Sequence, residues 1–383
     1  MNILIYTHEF PPFQGGIATS SKMIADILGS ENNLMVCCPS YGKKDSEKFD
    51  KFDVHRINFI GGEYFKKIPL LQYLHGLIKI KKIIHTFKPK KILFLGEEAE
   101  IIGGLLNEKH IDQIVRVAGS GIESIVKRKN LSSLFSKFFL KRLYKNSKYI
   151  IAVSKNTKRL MSEEHEFFSS KKIRLIYNGI DEEFVKRKKN LSLEESYKVD
   201  KDTFILLTVS RLLPRKGQDF VIKALGKIRN KNIKYICVGE GSYKEKYKSL
   251  VASLDLEDNV FFPGGIKRKD IHKFYDLANA FILCNRTWNS KIEGLPNVAI
   301  ESMARSVPVI GSKNSGTEEL IKDGINGYLV DSEDIDDIAK KISFAYENKD
   351  KLSSLGDSAK ININENFSLN RMKFDYLDLI KDE

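Results

Sequence analysis

Few residues in this chain suit covalent or metal stapling. Only four of the 383 are cysteine, Cys37, Cys38, Cys237 and Cys284, with no C-x-x-C pair and no histidine at ligand spacing. Neither a disulfide framework nor a zinc module is indicated, and a reducing, cytoplasmic compartment fits best. Glycine and proline number 25 and nine, far too few for a collagen-like or low-complexity chain. No stretch approaches the roughly 18 consecutive apolar residues that a spanning helix needs, so any membrane contact is expected to be peripheral. The apolar start Met1–Tyr6 lacks a basic flank and is cut short by Glu9, Pro11 and Pro12, which reads as a first strand and not a signal peptide.

What is present is an ordinary globular composition, 42% hydrophobic, with a basic excess of +14 that favours anionic partners. The length suits two domains. Short β-branched runs alternate with helical patterns: Asn2–Tyr6, Leu34–Cys38, Lys91–Leu95, Ile114–Val117 and Tyr149–Val153, then Phe204–Val209, Lys234–Val238, Val260–Phe262, Ala280–Cys284 and Val307–Gly311. That rhythm predicts βαβ units and parallel sheets. It pauses over a charged stretch between Asp181 and Asp202, which places domains at 1–185 and 186–367. The fold expected is α/β, two doubly wound Rossmann-like domains facing across a cleft. Ligands in such sheets bind beyond the carboxyl ends of the strands, so the loops there carry the functional reading.

Three such loops stand out. Pro11 to Thr19 holds Gly15, Gly16 and Ile17, a turn feeding a helix, where backbone N–H groups can approach an anion. Ser210 to Gly217 sets Arg211 and Lys216 five residues apart around Pro214, so that both cations can converge on one phosphate-sized target. Glu293 to Glu301 brackets Gly294, Leu295, Pro296, Asn297 and Val298: a carboxylate, a turn, a helix start opened by proline, and a second carboxylate. Gly239-Glu240-Gly241-Ser242 follows a strand but has Lys244 where a dinucleotide fingerprint has its third glycine, which argues against a nicotinamide site.

Together these residues resemble the retaining GT-B glycosyltransferases of family 4, along nearly the whole chain. The family's Glu-x7-Glu stands as Glu293 to Glu301, its Arg-x4-Lys-Gly as Arg211 to Gly217, and its glycine loop as Gly15-Gly16-Ile17. Val153-Ser154, Tyr177 to Asp181, Val238 to Gly241, Phe262 to Gly264 and Ser315 to Glu319 are similar too. The resemblance implies transfer of a hexosyl group from a UDP- or GDP-sugar to a saccharide or lipid-linked acceptor, with retention and without metal or other cofactor. It assigns Arg211 and Lys216 to the departing diphosphate, Glu293 to the donor sugar hydroxyls, and residues 294–298 to sugar and phosphate. Glu301 goes to the ribose, and Gly241 and Ile266 to the nucleotide, with Ile266 in the loop beside the base. Gly16 and Ile17 would approach the phosphate from the first domain, and the last helix, within 368–383, would pack back on that domain.

One departure concerns the first domain. Ala118 stands before Gly119 where the family often has histidine, and Arg116 and Ser120 are the candidate replacements. His8 reads as a satisfied histidine. Between Asn130 and Ser147, Leu131, Leu134, Phe135, Phe138 and Phe139 recur at helical spacing, with Lys137, Lys141 and Lys145 on another face. This is a helix that either packs on its own sheet or attaches to an anionic membrane on the inner face of the plasma membrane, with Tyr64–Lys67 and Lys79–Lys82 adding charge. Another GT-B enzyme, an epimerase or phosphorylase, and a non-enzymatic anion- or nucleic-acid-binding protein are the alternatives. No zinc-finger, basic-zipper or RNA-binding signature is present, so nucleic acid is not expected as a partner. The surface polysaccharides, lipopolysaccharides and glycolipids of bacteria are the expected products.

Overall fold

The computed structural model describes residues 1–13, 15–41, 46–57, 69–117, 131–164, 167–180, 182–190, 192–288 and 294–382, the side chains of 69–72 and 131–135 excepted. Glu293, Ala118, Ser120 and the run Tyr64–Lys67 lie outside the described residues. The chain divides into two compact units, one of Met1–Asn178 with Met372–Glu383 and one of Gly179–Arg371. The charged stretch that marked the expected boundary at 185/186 therefore lies inside the second unit. The short helix Glu182–Lys186 belongs there too, because Arg305 reaches the carbonyls of Phe184 and Arg187 at 2.9 and 3.2 Å and pairs with Asp276 at 2.5 Å.

The first unit holds β1 (Asn2–Thr7), β2 (Asn33–Pro39), β3 (Ser46–Phe49), β4 (Phe52–Ile57), β5 (Lys91–Leu95), β6 (Asp112–Val117), β7 (Tyr149–Ala152) and β8 (Ile173–Leu175). Their order across the sheet is β3-β4-β2-β1-β5-β6-β7-β8. Every pairing is parallel except β3 with β4, an antiparallel edge that the sequence rhythm does not reveal. Ile3, Leu4, Ile5 and Tyr6 are all fully buried, as expected of a strand with helices on both faces. Leu4 pairs with Met35 on one side and Ile92 on the other.

The second unit holds β9 (Phe204–Val209), β10 (Ile233–Val238), β11 (Val260–Gly264), β12 (Ala280–Leu283), β13 (Val309–Ser312) and β14 (Gly327–Val330), ordered β11-β10-β9-β12-β13-β14 and parallel throughout. The order reverses between β9 and β12 and, in the first unit, between β1 and β5. These switch points are where such sheets open a crevice at their carboxyl edge.

The helix Leu131–Asn146 packs inward through Leu140, Leu143 and Tyr144, all at 1% exposure or less, and leaves Phe138 63% exposed. Phe138 therefore does not belong to the core-facing stripe in which the sequence pattern put it. Tyr144 donates at 2.5 Å to Glu100 of the helix Glu97–Leu106. The last helix, Leu369–Lys381, ends beside Lys91 and Lys148, whose ammonium groups donate to the Asp382 carbonyl at 3.3 and 3.0 Å.

Burial pushes the Glu100 carboxyl up from 4.5 to about 8, with the Tyr144 hydroxyl offsetting part of that rise. The folded pKa lies above the unfolded one, so the folded state holds an extra proton between them. Stability from this group is full below the unfolded pKa, falls as pH rises toward about 8, and is level above. Glu100→Gln is expected to melt higher than wild type at about pH 8–9 and close to it at about pH 5, read by thermal denaturation across that range. Equal gains at both ends would contradict a titrating carboxyl.

Candidate functional site

The carboxyl end of β9 carries the two cations nominated by sequence. Arg211 is exposed, and its guanidinium makes no ion pair among the described residues. Lys216 is buried, at 8% exposure, in the turn Pro214–Lys216. Gln218 opens the next helix, Gln218–Ile228, and its Nε2 donates to Ser210 Oγ at 2.8 Å and to the Arg211 carbonyl at 3.1 Å, closing the loop on itself. Gly217, at the junction, has φ +72°, and a Cβ there would stand 1.9 Å from the Cys284 carbonyl just past β12. Glycine alone fits both the left-handed backbone and the approach.

Beyond β12, the helix Asn297–Ala304 begins with Pro296 as its N-cap, one position earlier than a proline inside the first turn. Pro296 offers no side-chain cap, and its carbonyl accepts from the Ala299 N–H at 3.0 Å. Leu295 and Pro296 are buried; Asn297 and Val298 are half-buried. Gly316 packs against this segment so closely that a Cβ there would lie 2.0 Å from the Gly294 carbonyl. Glu301 is 5% exposed and ion-paired with Arg268, and its second oxygen accepts from Tyr275 Oη at 3.0 Å. Arg268 and Tyr275 were not singled out by sequence. Arg268 sits in Lys267-Arg268-Lys269, one basic run among many, and Tyr275 carries no motif.

The loops after β10 and β11 adjoin the same edge. Leu212 N–H donates to the Glu240 carbonyl at 3.0 Å, and Tyr243 N–H to the Leu212 carbonyl at 3.2 Å, which ties Gly241 against the loop of Arg211. Ile266, half-buried, follows β11. The Lys244 ammonium beside Glu240 holds that carboxyl below its usual range. At the ends of β12, β13 and β14 a pocket of about 270 Å³ is lined by Asn285, Arg286, Lys313, Ser315, Asp331 and Ser332, among others. The second unit thus brings Arg211, Lys216, Gly241, Ile266, residues 294–298 and Glu301 to one edge of one sheet.

In the first unit, Gly15 precedes the helix Gly16–Gly29 in extended backbone, so no left-handed geometry demands glycine there. Ile17 borders Gly96 at the end of β5. Arg116 is 3% exposed and donates to Asn178 Oδ1 at 2.6 Å, which commits it to a buried contact. His8 contacts Glu98 through Nδ1 and the Tyr6 hydroxyl through Nε2, so it is satisfied as expected.

Two doubly wound parallel-sheet units with their polar loops at the carboxyl edges make this a GT-B protein. Residues 190–361 match the family model of glycosyl transferases group 1, and residues 14–184 that of glycosyltransferase family 4; the chain belongs to this glycosyltransferase family. An uncharacterised glycosyltransferase of Methanocaldococcus jannaschii is 28% identical over 298 residues, 74% of this chain and 68% of that one. The GDP-mannose-dependent alpha-(1-6)-phosphatidylinositol monomannoside mannosyltransferase of Mycolicibacterium smegmatis is 30% identical over 159 residues, 40% and 42% of the two chains. Anabaena HepE, solved in complex with UDP, superposes with a TM-score of 0.80 at 19% identity, each chain covered in full.

Gly217→Ala should melt well below wild type, by the equivalent of about 2–4 kcal/mol, since it adds positive-φ strain to a backbone clash. Chemical denaturation measures this directly. An unchanged midpoint would contradict the approach of Gly217 to Cys284.

Proposed function

We propose that this glycosyltransferase moves a hexosyl group from a UDP- or GDP-sugar to a saccharide or lipid-linked acceptor of a surface polysaccharide, lipopolysaccharide or glycolipid. Transfer proceeds with retention and without metal. The observation that carries the reading is the pairing, at one sheet edge, of Arg211 and Lys216 after β9 with the helix start at Asn297 after β12. Cations and backbone N–H groups aimed at one place favour a diphosphate whose charge grows as it departs, and preorganised stabilisation of that kind is the largest lever in many transferases. Glu301 then accepts ribose hydroxyl hydrogen bonds, Gly241 and Ile266 border the nucleotide, and Glu293 takes the donor sugar. Front-face substitution, in which the leaving phosphate oxygen helps to deprotonate the acceptor, needs no separate base in the first unit. The relatives leave both bases in view, one described as GDP-mannose-dependent and one solved with UDP.

A thermal-shift screen with UDP, GDP and ADP in the presence of EDTA tests this reading. One nucleotide should raise the wild-type midpoint by the equivalent of about 2.7 kcal/mol at a hundredfold excess over Kd, and the shift should be markedly smaller in Lys216→Ala. No shift with any of them, or an undiminished shift in Lys216→Ala, would contradict the assignment.

Peripheral membrane attachment through 130–147 is part of the same proposal. Supporting it, Phe138 is 63% exposed near the exposed Lys141 and Lys145, and Leu74 and Ile78 are 45% and 67% exposed on the helix Pro69–Phe87. Exposed apolar side chains on helices that also carry lysine suit an anionic lipid surface. Among the described residues no helix is long and apolar enough to cross a membrane. Binding to vesicles of anionic lipid should weaken with salt and fall in Phe138→Ser/Lys141→Glu. Equal binding to neutral vesicles would overturn it.

A further inference from the structure

Arg286 stands three residues past β12, in no motif that the sequence singles out, yet it ties down the turn that carries Lys216. Its backbone N–H donates to the Arg215 carbonyl at 3.0 Å, and its Nε donates to the Pro214 carbonyl at 2.8 Å. One Nη pairs with Asp219 Oδ2 at 2.9 Å in the first turn of the next helix. The guanidinium lies 4.5 Å from the centre of the Phe220 ring and 5.4 Å from that of Trp288. Arg286 and Asp219 are only 11% and 18% exposed.

The turn has little of its own to hold it. Its internal hydrogen bonds run from Lys216 N–H to the Leu213 carbonyl, 2.9 Å, and from Gly217 N–H to the Pro214 carbonyl, 3.2 Å. Single turns of this type have poor hydrogen-bond geometry and depend on their surroundings. From the loop after β12, Arg286 fixes two consecutive carbonyls immediately before Lys216, that of Arg215 through its backbone N–H and that of Pro214 through its side chain, while Asp219 neutralises its charge. Its contribution near a phosphate is therefore geometric more than electrostatic. Arginine is required because a planar fork can serve a carbonyl and a carboxylate while stacking on a ring, which a lysine ammonium cannot.

We infer that Arg286 is a positioning residue for Lys216: by clamping the Pro214 and Arg215 carbonyls it sets where the Lys216 ammonium stands, and so sets the affinity for a nucleoside diphosphate. The inference rests on the assignment of Lys216 to the diphosphate in the preceding section. It also separates Arg286 from Arg211, which makes no ion pair among the described residues and faces the ligand as a cation in its own right.

The test is a double-mutant cycle on the full chain, titrating UDP and GDP calorimetrically into wild type, Arg286→Lys, Lys216→Ala and the double variant, each with its melting midpoint. Arg286→Lys should weaken whichever nucleotide binds by about tenfold, a 1.4 kcal/mol change. In the Lys216→Ala background the same substitution should cost no more than about twofold, because its effect passes through Lys216. A merely structural role would lower the midpoint and multiply the losses. Losses that multiply, or wild-type affinity in Arg286→Lys, would overturn the inference while leaving Lys216 on the diphosphate. Undiminished binding in Lys216→Ala, or no binding by wild type, would overturn both. Should Arg286→Lys fail to fold, Asp219→Asn frees the guanidinium without emptying the core and carries the same cycle: a loss absent in the Lys216→Ala background supports the clamp, and losses that multiply overturn it.

Discussion

The arrangement of the second unit depends on how closely the backbone at Gly217 passes the carbonyl of Cys284, where a single methyl group would stand at 1.9 Å. That approach draws the loop after β9 onto the strand end of β12 and sets the turn of Lys216 beside the residues that lead to the Glu293–Glu301 element. Two further contacts depend on it. Arg286 can reach the Pro214 and Arg215 carbonyls only because the two loops lie side by side, and Asp219 can meet Arg286 only because its helix starts at once after Gly217. Gly316 plays the matching part from β13, lying against Gly294.

The same edge shows how charge is apportioned. Glu301 is buried, but Arg268 and Tyr275 take one oxygen each, so its carboxyl group is oriented before any ligand arrives. Arg286 is neutralised by Asp219 and Arg305 by Asp276, and both serve as struts. Buried pairs of this kind add little net stability, but removing one partner leaves an uncompensated charge, so they hold a geometry firmly. Arg211, exposed at the edge of this sheet, makes no ion pair among the described residues.

Much of this was legible in the chain itself. Strands buried on both faces, such as Ile3–Tyr6 and Phe204–Val209, read as continuous apolar runs because helices cover both sides of the sheet. Arg211, Lys216 and the 294–301 segment were singled out by their spacing after strand ends, and the structure brings them to one edge of one sheet. What escaped has physical reasons. Ser46–Phe49 is a polar edge strand with no buried face to impose a pattern. The charged stretch after Asp181 looked like a linker, but Arg305 anchors its beginning to the second unit through backbone carbonyls, which composition does not register. Phe138 fell on a helical stripe by spacing, yet the helix turns Leu140, Leu143 and Tyr144 inward instead. Arg286 and Arg268 were hidden by abundance, because among 64 basic residues only their partners mark them out.

The central claim is that a nucleoside diphosphate sits on the carboxyl edge of the second sheet, between the turn of Lys216 and the helix start at Asn297. Hydrogen–deuterium exchange of the full chain, with and without saturating UDP or GDP, tests it most directly. The expected result is slowed exchange in residues 211–218 and 294–301, with weaker protection around Gly264–Ile266. Protection confined to the first unit, or to the opposite edge of the second sheet near Thr203 and Asn232 at the amino ends of β9 and β10, would contradict it.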